Sequence, residues 1–157
     1  MKKVLIFAIS ILLCVSCVAC FSPTDSAADP AGGVENTSNP LGNYEVDVLS
    51  ARFSMSYDDK EIVVIKYKFI NNKESAAAFD SSIDLTVYQE GIECKRYYSY
   101  DGDFVDNGDK KIKTGKSIEV EYAYYLNNKS DIEVECKEIF SFTDESEKKI
   151  FRIIMNK

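Results

Sequence analysis

Histidine and tryptophan are absent from the 157-residue sequence. Without histidine, the commonest general base and the commonest metal ligand are missing, and so is every Ser-His or Cys-His catalytic arrangement. Paired carboxylates or a Ser-Lys pair remain chemically open, but no spacing in the sequence singles out such a pair. The sequence therefore predicts a protein that is not an enzyme and that uses no cofactor.

Basic residues are scarce relative to acidic residues, with 19 Lys and Arg against 26 Asp and Glu and a formal net charge of −7. Two of the lysines, Lys2 and Lys3, lie at the very start of the chain. An acidic protein does not attract nucleic acid or an anionic lipid surface over long distances. Nucleic acid is therefore not an expected partner.

A hydrophobic run long enough to cross a membrane is missing as well. The longest apolar stretch, residues 4–21, is interrupted by two serines and three cysteines, and a membrane-spanning helix needs about 20 apolar residues. The stretch follows Lys2 and Lys3 and ends in small residues before Cys20, which is the layout of a secretory signal. Residues 1–20 are therefore predicted to be a signal peptide.

The end of this signal resembles a bacterial lipobox, in which small residues precede a cysteine that receives a diacylglycerol. Cys20 follows Ala19 and precedes Ser22, so we expect Cys20 to be lipidated, with Cys17 after Ser16 as the alternative. Two acyl chains hold a protein stably to a bilayer, whereas one chain does so only marginally. The expected location is extracytoplasmic, with the lipid bilayer as a partner through the modified cysteine.

Proline and glycine are scarce after residue 42. All three prolines and three of the seven glycines lie in residues 21–42, which contain few aliphatic residues. Such a composition does not bury enough surface to fold. We therefore predict a disordered tether with an end-to-end distance of about 25 Å, followed by one domain over residues 43–157.

Apolar and polar residues alternate with a period of two through residues 43–157, and no helical period is sustained. A change of parity near Val48 predicts a β-bulge, and Glu90-Gly91 predicts a hairpin turn. An antiparallel β-sandwich of about seven strands is indicated. The predicted strands are 43–57, 61–70, the row Ile83, Leu85 and Val87, 92–98, 117–126, 132–140 and 150–155.

Four segments of this domain read VVIKYKFINNKES, YQEGIE, DNGDKKIKTGKSIEVEYAYYLNN and IEVECKEIFSFTDESEKKIFRI. The best markers are residues 69–72 and the turn at 113–115. Together these segments resemble an uncharacterised lipoprotein family of Gram-positive bacteria. The resemblance covers essentially residues 43–157. It implies an immunoglobulin-like domain on the cell envelope and supplies no catalytic residues.

Cys94 and Cys136 lie on the predicted inward faces of their strands. Outside the cytoplasm a disulfide between them is chemically allowed. Two separately buried thiols are the alternative, because free cysteine packs well as a small apolar group. The sequence leaves both open.

An aromatic strip of Tyr97, Tyr98, Tyr100 and Phe104 lies at the end of one predicted strand and the start of an acidic loop. Adjacent residues of a strand point to opposite faces, so the core does not take all four side chains. Tyrosine suits stacking against a peptide or a sugar, although the strip could instead close one end of the core. We predict an interaction module that binds an envelope protein, peptide or glycan.

The acidic loop, residues 99–111, contains Asp101, Asp103, Asp106 and Asp109, whose oxygens are ligands of the kind calcium prefers. Val105 and Ile112 stand where a helix-loop-helix calcium site needs ligands. The spacing therefore favours a solvated loop, and no metal site is predicted. A metal-dependent extracytoplasmic sensor or enzyme built on this loop is the alternative function.

Overall fold

The computed structural model describes residues 33–36, 41–99, 104–139 and 148–155. These residues form nine strands and one helical turn, which confirms the predicted all-β sandwich. The elements are β1 (Val34–Asn36), β2 (Tyr44–Met55), β3 (Glu61–Asn71), α1 (Phe79–Ser82), β4 (Ile83–Gln89), β5 (Ile92–Glu93), β6 (Arg96–Tyr97), β7 (Lys116–Tyr125), β8 (Ile132–Glu138) and β9 (Lys149–Ile153).

The strands form two antiparallel sheets. One sheet has the order β1-β9-β8-β4-β5, and the other has the order β2-β3-β7-β6. The core lies between them, and β3 contributes the predicted inward row to it: Val63, Ile65, Tyr67 and Phe69, all fully buried. The inward rows of β7 and β8 pack against these residues. The alternation thus predicts correctly which face of these strands is buried, because successive side chains point to opposite faces.

The predicted bulge in β2 is confirmed. The register of β2 against β3 shifts between Val48 and Ser50. Before the shift Tyr44 and Val46 are buried, and after it Ala51 is buried, while Leu49 at the shift is exposed. The extra residue allows both halves of a long strand to face the same core.

The predicted hairpin turn at Glu90-Gly91 is also present, with positive φ angles of 51° and 77°. Gln89, which is fully buried at the end of β4, orders the neighbouring turn. Its side-chain amide donates to the carbonyl oxygens of Asn128 (3.1 Å) and Ser130 (2.9 Å) and accepts from the N–H of Asn127 (2.7 Å). These bonds satisfy a buried amide that would otherwise destabilise the core.

The prediction of one strand over residues 92–98 is wrong, because the chain changes sheets within it. The N–H of Cys94 still donates to the carbonyl of Val87 in β4 (2.7 Å), whereas the carbonyl of Lys95 accepts from Tyr125 in β7 (2.9 Å). Two short strands, β5 and β6, result, one in each sheet. Ile92, which shares the parity of inward Cys94 in the predicted strand, is 61% exposed.

The predicted tether is wrong at its C-terminal end. Residues of β1 pair with β9 at the edge of the five-stranded sheet, and Leu41 is buried. Backbone hydrogen bonds to a free strand edge need few apolar side chains, so a polar segment can join the sheet, and Val34 packs against the core.

Cys94 and Cys136 are free, buried thiols. Cys136 in β8 lies opposite Leu85 of β4, whereas Cys94 bonds to β4 from the other side. Two interstrand spacings of about 4.8 Å separate the Cα atoms by roughly 10 Å, and a disulfide needs less than about 7 Å. The structure therefore contains separately buried thiols and not a disulfide, and burial raises the pKa of Cys136 to about 12.

The one helical turn, α1, has four residues. Across the described ranges, no helix has both the length and the apolar character needed to cross a membrane. Cys17 and Cys20 lie outside the described residues.

Candidate functional site

The outer face of the four-stranded sheet carries a second apolar cluster. Ile62 and Val64 of β3 and Ala123 of β7 are buried on the face that points away from the core, and they are covered by Tyr97, Phe104 and Tyr125. Strand pairing brings the small residues together, because Val64 lies opposite Ala123 and Ile62 lies opposite Tyr125. The outer face of an antiparallel sheet is usually solvated. In this sheet, part of the outer face is instead covered by aromatic side chains.

The covering rings form a fixed aromatic platform of Tyr97, Phe104 and Tyr125. The Tyr97 ring meets Tyr125 edge-on at 5.3 Å between centroids and Phe104 at 6.2 Å. The Tyr97 hydroxyl accepts from the N–H of Tyr57 (3.2 Å), and the Tyr125 hydroxyl donates to Asp58 (3.3 Å). Both rings are therefore tied to the turn between β2 and β3.

Beside the platform lies a groove with a cavity volume of about 840 Å³, hereafter the aromatic groove. Its rim carries three exposed apolar side chains, Met55 (54%), Tyr57 (93%) and Tyr98 (66%). Exposed side chains of this size, grouped around a concave surface, are typical of interaction sites. The groove is lined by Arg52, Ser54, Met55, Ser56, Tyr57, Asp58, Lys95, Arg96, Tyr97, Tyr98, Ser99, Phe104 and Tyr125.

A half-buried ion pair lies against the platform. Arg52 donates two hydrogen bonds to the carboxylate of Glu121, at 3.0 and 3.1 Å, and Lys66 lies 3.5 Å from the same carboxylate. Burial opposes ionisation of Glu121, but the hydrogen bonds from Arg52 and from the Val105 N–H outweigh it and lower the pKa below its ordinary value. The guanidinium of Arg52 also lies over the Phe104 ring, 5.9 Å from its centroid.

The turn between β2 and β3 holds a second ion pair. Asp58 lies 2.6 Å from Lys60 and accepts from the hydroxyl of Ser56 (2.7 Å). Hydrogen bonds from Lys60 and Ser56 lower the pKa of Asp58 to about 2. Asp58 is therefore ionised near neutral pH and remains an acceptor for Tyr125.

Arg96 stacks between two tyrosines at the edge of the sheet. Its guanidinium carbon lies 3.6 Å from the ring centroid of Tyr122 and 5.0 Å from that of Tyr98. The Tyr122 hydroxyl donates to Asp80. Stacking of this kind orients a guanidinium.

The structure brings together most of the predicted aromatic strip. Tyr97 and Phe104 are half-buried in the platform, and Tyr98 is exposed at the rim. Tyr100 lies outside the described residues. Other contributors to the groove, Arg52, Met55, Tyr57 and Tyr125, were not predicted. A usable signal was the apolar run IVVI at 62–65, because apolar residues on both parities of a strand indicate that both of its faces are covered.

The acidic loop provides no metal site among the residues that the structure describes. In those ranges no group of three or more Cys, Asp or Glu side chains could hold a metal ion. Asp106 and Asp109 are exposed, and Asp101 and Asp103 lie outside the described residues.

The chain is therefore a two-layer β-sandwich with a groove of aromatic side chains on one sheet. Residues 21–138 match the family described as Domain of unknown function (DUF5067), and the chain belongs to this family. The match ends with β8, so β9 lies beyond it.

Two solved structures are similar to this chain. A putative lipoprotein (ycdA) from Bacillus subtilis has a TM-score of 0.58 at 15% identity, over 76% of this chain and 38% of that chain. The chain thus spans well under half of that protein, and the likeness shows a shared fold. A putative lipoprotein from Staphylococcus aureus has a TM-score of 0.48 at 13% identity, over 75% of this chain and 92% of that chain. The sequence matches no curated protein.

Proposed function

We propose that the protein is an extracytoplasmic lipoprotein that is anchored to the cell membrane through Cys20 and binds an envelope partner in the aromatic groove. The signal-like segment 1–20 with its lipobox resemblance supports the anchor. The names of the two similar structures, both putative lipoproteins, agree with it.

We also propose that the sandwich is immunoglobulin-like. The order β2-β3-β7-β6 corresponds to strands ABED of that fold, and β9-β8-β4-β5 corresponds to GFC with an added C′ strand. In this assignment β1 is an additional strand beside G.

The observation that carries the binding function is the fixed geometry of the groove. Tyr97 and Tyr125 are held edge to face, and both hydroxyls are bonded to the turn between β2 and β3. A partner would therefore meet aromatic surfaces that need no ordering on binding, which lowers the entropic cost of association. Tyrosine, methionine and arginine are the residue types enriched at protein interfaces.

Binding is a better proposal than catalysis for the described residues. The thiol of Cys94 is buried and its pKa is raised by burial, so it lacks the thiolate character of a nucleophile. The carboxylate of Asp58 in the groove is already bonded to Lys60 and Ser56, which supports a role in contact over one in proton transfer.

The test is capture of an envelope partner by the full chain and by three variants. Tyr57→Ala and Tyr98→Ala should each lose capture with little change in melting temperature, because both side chains are exposed at the rim. Ile92→Ala is the matched control, since Ile92 is as exposed as Tyr98 but lies in the other sheet. Capture that survives both tyrosine substitutions, or that is lost equally in Ile92→Ala, would contradict the proposal.

A further inference from the structure

We infer that one end of the sandwich binds a linear polyanion, at a surface apart from the aromatic groove. The chain as a whole has a formal net charge of −7, but residues 110–116 read KKIKTGK, with four lysines and no acidic residue. Short segments this rich in lysine are typical of surfaces that bind anionic polymers. The lysine cluster, as it is called below, consists of these four lysines and one from a neighbouring loop: Lys73, Lys110, Lys111, Lys113 and Lys116.

Two loops at the same end of the four-stranded sheet carry the lysine cluster, and hydrogen bonds join them. Ile112 in one loop exchanges two backbone hydrogen bonds with Ala77 in the other, at 2.9 and 3.1 Å. The Thr114 hydroxyl donates to the carbonyl of Lys73 (2.7 Å). The buried side chain of Asn71 donates to the carbonyl of Ile112 (3.0 Å). The two loops therefore form one surface.

The side chains of the lysine cluster are exposed. Ile112 packs against the core, so Lys111 and Lys113 on either side of it point to solvent, because successive side chains of an extended segment alternate. No lysine of the cluster forms an ion pair in the described part of the chain, whereas eight of the eleven other basic residues in those ranges do.

The charges of this surface favour a polymer over a single anion. The two loops contain five lysines against two acidic residues, Glu74 and Asp109, and Glu45 of β2 accepts from the nearby Asn72 side chain (2.8 Å). An ammonium group attracts an anion as a point charge, and one exposed pair of charges contributes little. Several lysines on one surface favour a ligand with many negative charges, because binding at one lysine raises the effective concentration at the next.

The lysine cluster lies at the end of the sandwich opposite to the start of β1. β1 begins at Val34, in a row of paired residues that crosses the five-stranded sheet to Gln89. The Gln89 side chain accepts from Asn127, which follows the end of β7. The cluster lies at the other end of β7, which begins at Lys116 and has ten residues. Ten strand residues span about 33 Å, and roughly that distance separates the cluster from the start of β1.

This placement favours a polymer over the anionic surface of the bilayer, given the anchor proposed above at Cys20. The 13 residues from 21 to 33 span at most roughly 45 Å. Contact between the lysine cluster and the bilayer would require the domain to turn over and would stretch most of that length, which lowers the entropy of the chain. A polymer that extends away from the membrane reaches the cluster without this cost.

Binding of long-chain polyphosphate to the full chain tests the inference. The double variant Lys113→Gln/Lys116→Gln should bind about tenfold more weakly than the wild type at low salt, and the slope of log affinity against log salt should fall by about 1.4. The melting temperature should change little, because neither lysine side chain has a hydrogen-bond partner in the described ranges. Lys129→Gln is the matched control, since Lys129 is exposed and pairs with Glu61 at the other end of the sheet, and it should bind like the wild type.

Unchanged binding in the double variant, or an equal loss in Lys129→Gln, would overturn the inference. Competition by inorganic phosphate at an equal concentration of phosphate groups would overturn it as well, because it would indicate a site for one ion. Phosphatidylglycerol vesicles test the bilayer, with Cys20→Ala as the protein: binding that depends on Lys113 and Lys116, without any binding of polyphosphate, would assign this surface to the membrane. Polyphosphate binding is measured in solution and needs no anchor, so failure of the proposed anchor is distinguishable.

Discussion

Glu121 shows at the scale of one residue how the groove is held in place. Its side chain is 7% exposed, and its carboxylate accepts from Arg52 and from the N–H of Val105 (3.3 Å). The backbone N–H of Glu121 in turn donates to the carbonyl of Val105 (2.9 Å). One residue of β7 therefore fixes Val105 twice and positions the adjacent Phe104 ring.

The first prediction concerns the charge of Glu121. Glu121→Gln should lower the free energy of unfolding at pH 7 by about 1–2 kcal/mol, because hydrogen bonds to a charged group are weakened and Arg52 loses its partner. The pKa of Glu121 is below its ordinary value of 4.5. The carboxylate therefore stabilises the fold fully above that pH, and the stabilisation is lost as the pH falls through the lowered pKa of the folded state.

Urea unfolding at pH 7 and at pH 3 measures the difference in free energy of unfolding between the wild type and Glu121→Gln. This difference should be smaller at pH 3. Glu119→Gln is the control, because Glu119 is 56% exposed and its contact with Lys66 is 3.4 Å long. Such a surface pair contributes little, so a change below about 0.5 kcal/mol is expected. If Glu121→Gln lowered the free energy of unfolding equally at both pH values, the shape of the side chain and not its charge would be responsible for the loss.

At the scale of elements, the hairpin between β4 and β5 depends on a left-handed backbone. Gly91 has a φ of 77°, and no atom lies within 4 Å of the position that a Cβ would take. Gly91→Ala should therefore destabilise by about 1–2 kcal/mol through backbone strain alone. Gly33→Ala also enters open space, but without a positive φ, so its effect should stay within about 0.5 kcal/mol. Thermal unfolding measures the melting temperatures of Gly91→Ala and Gly33→Ala. Equal melting temperatures would contradict a left-handed turn at Gly91.

The sequence predicts a strand wherever apolar and polar side chains alternate along it, because the apolar ones are then buried on one face. The inward rows of β3, β7 and β8 were predicted correctly because each strand presents one continuous face to the core. Alternation reports which face is buried but not which strand is the neighbour. The change of sheet between Cys94 and Lys95 was therefore missed, as was the pairing of β1 with β9.

The groove could be predicted only in part for the same reason. Three aromatic residues lie close together in the sequence, namely Tyr97, Tyr98 and Phe104. Their proximity is enough to predict an aromatic surface. Arg52 reaches them through register, because Arg52 lies opposite Val64, Val64 opposite Ala123, and Ala123 opposite Tyr97. Register between distant strands is not readable from local patterns.

At the scale of the whole molecule, the anchor can be tested directly. Cys20→Ala should move the protein from the membrane fraction to the soluble fraction, because the diacylglycerol would have no acceptor and two acyl chains supply the stable attachment. Fractionation followed by immunoblotting measures the distribution. Cys17→Ala is the matched control and should remain with the membrane. The opposite pattern, with Cys17→Ala released and Cys20→Ala retained, would assign the lipid to Cys17.

The pairing of β1 with β9 has a mechanical consequence for a domain that is pulled from its N-terminal side. Tension applied before Gly33 would act first on the three residue pairs of β1 and β9, and only then on buried Leu41 and the long ladder of β2. The short strand should peel away while the sandwich stays folded. Once β1 is released, the chain from Val34 to Leu41 can span at most roughly 25 Å, so the reach of the groove would vary with the force.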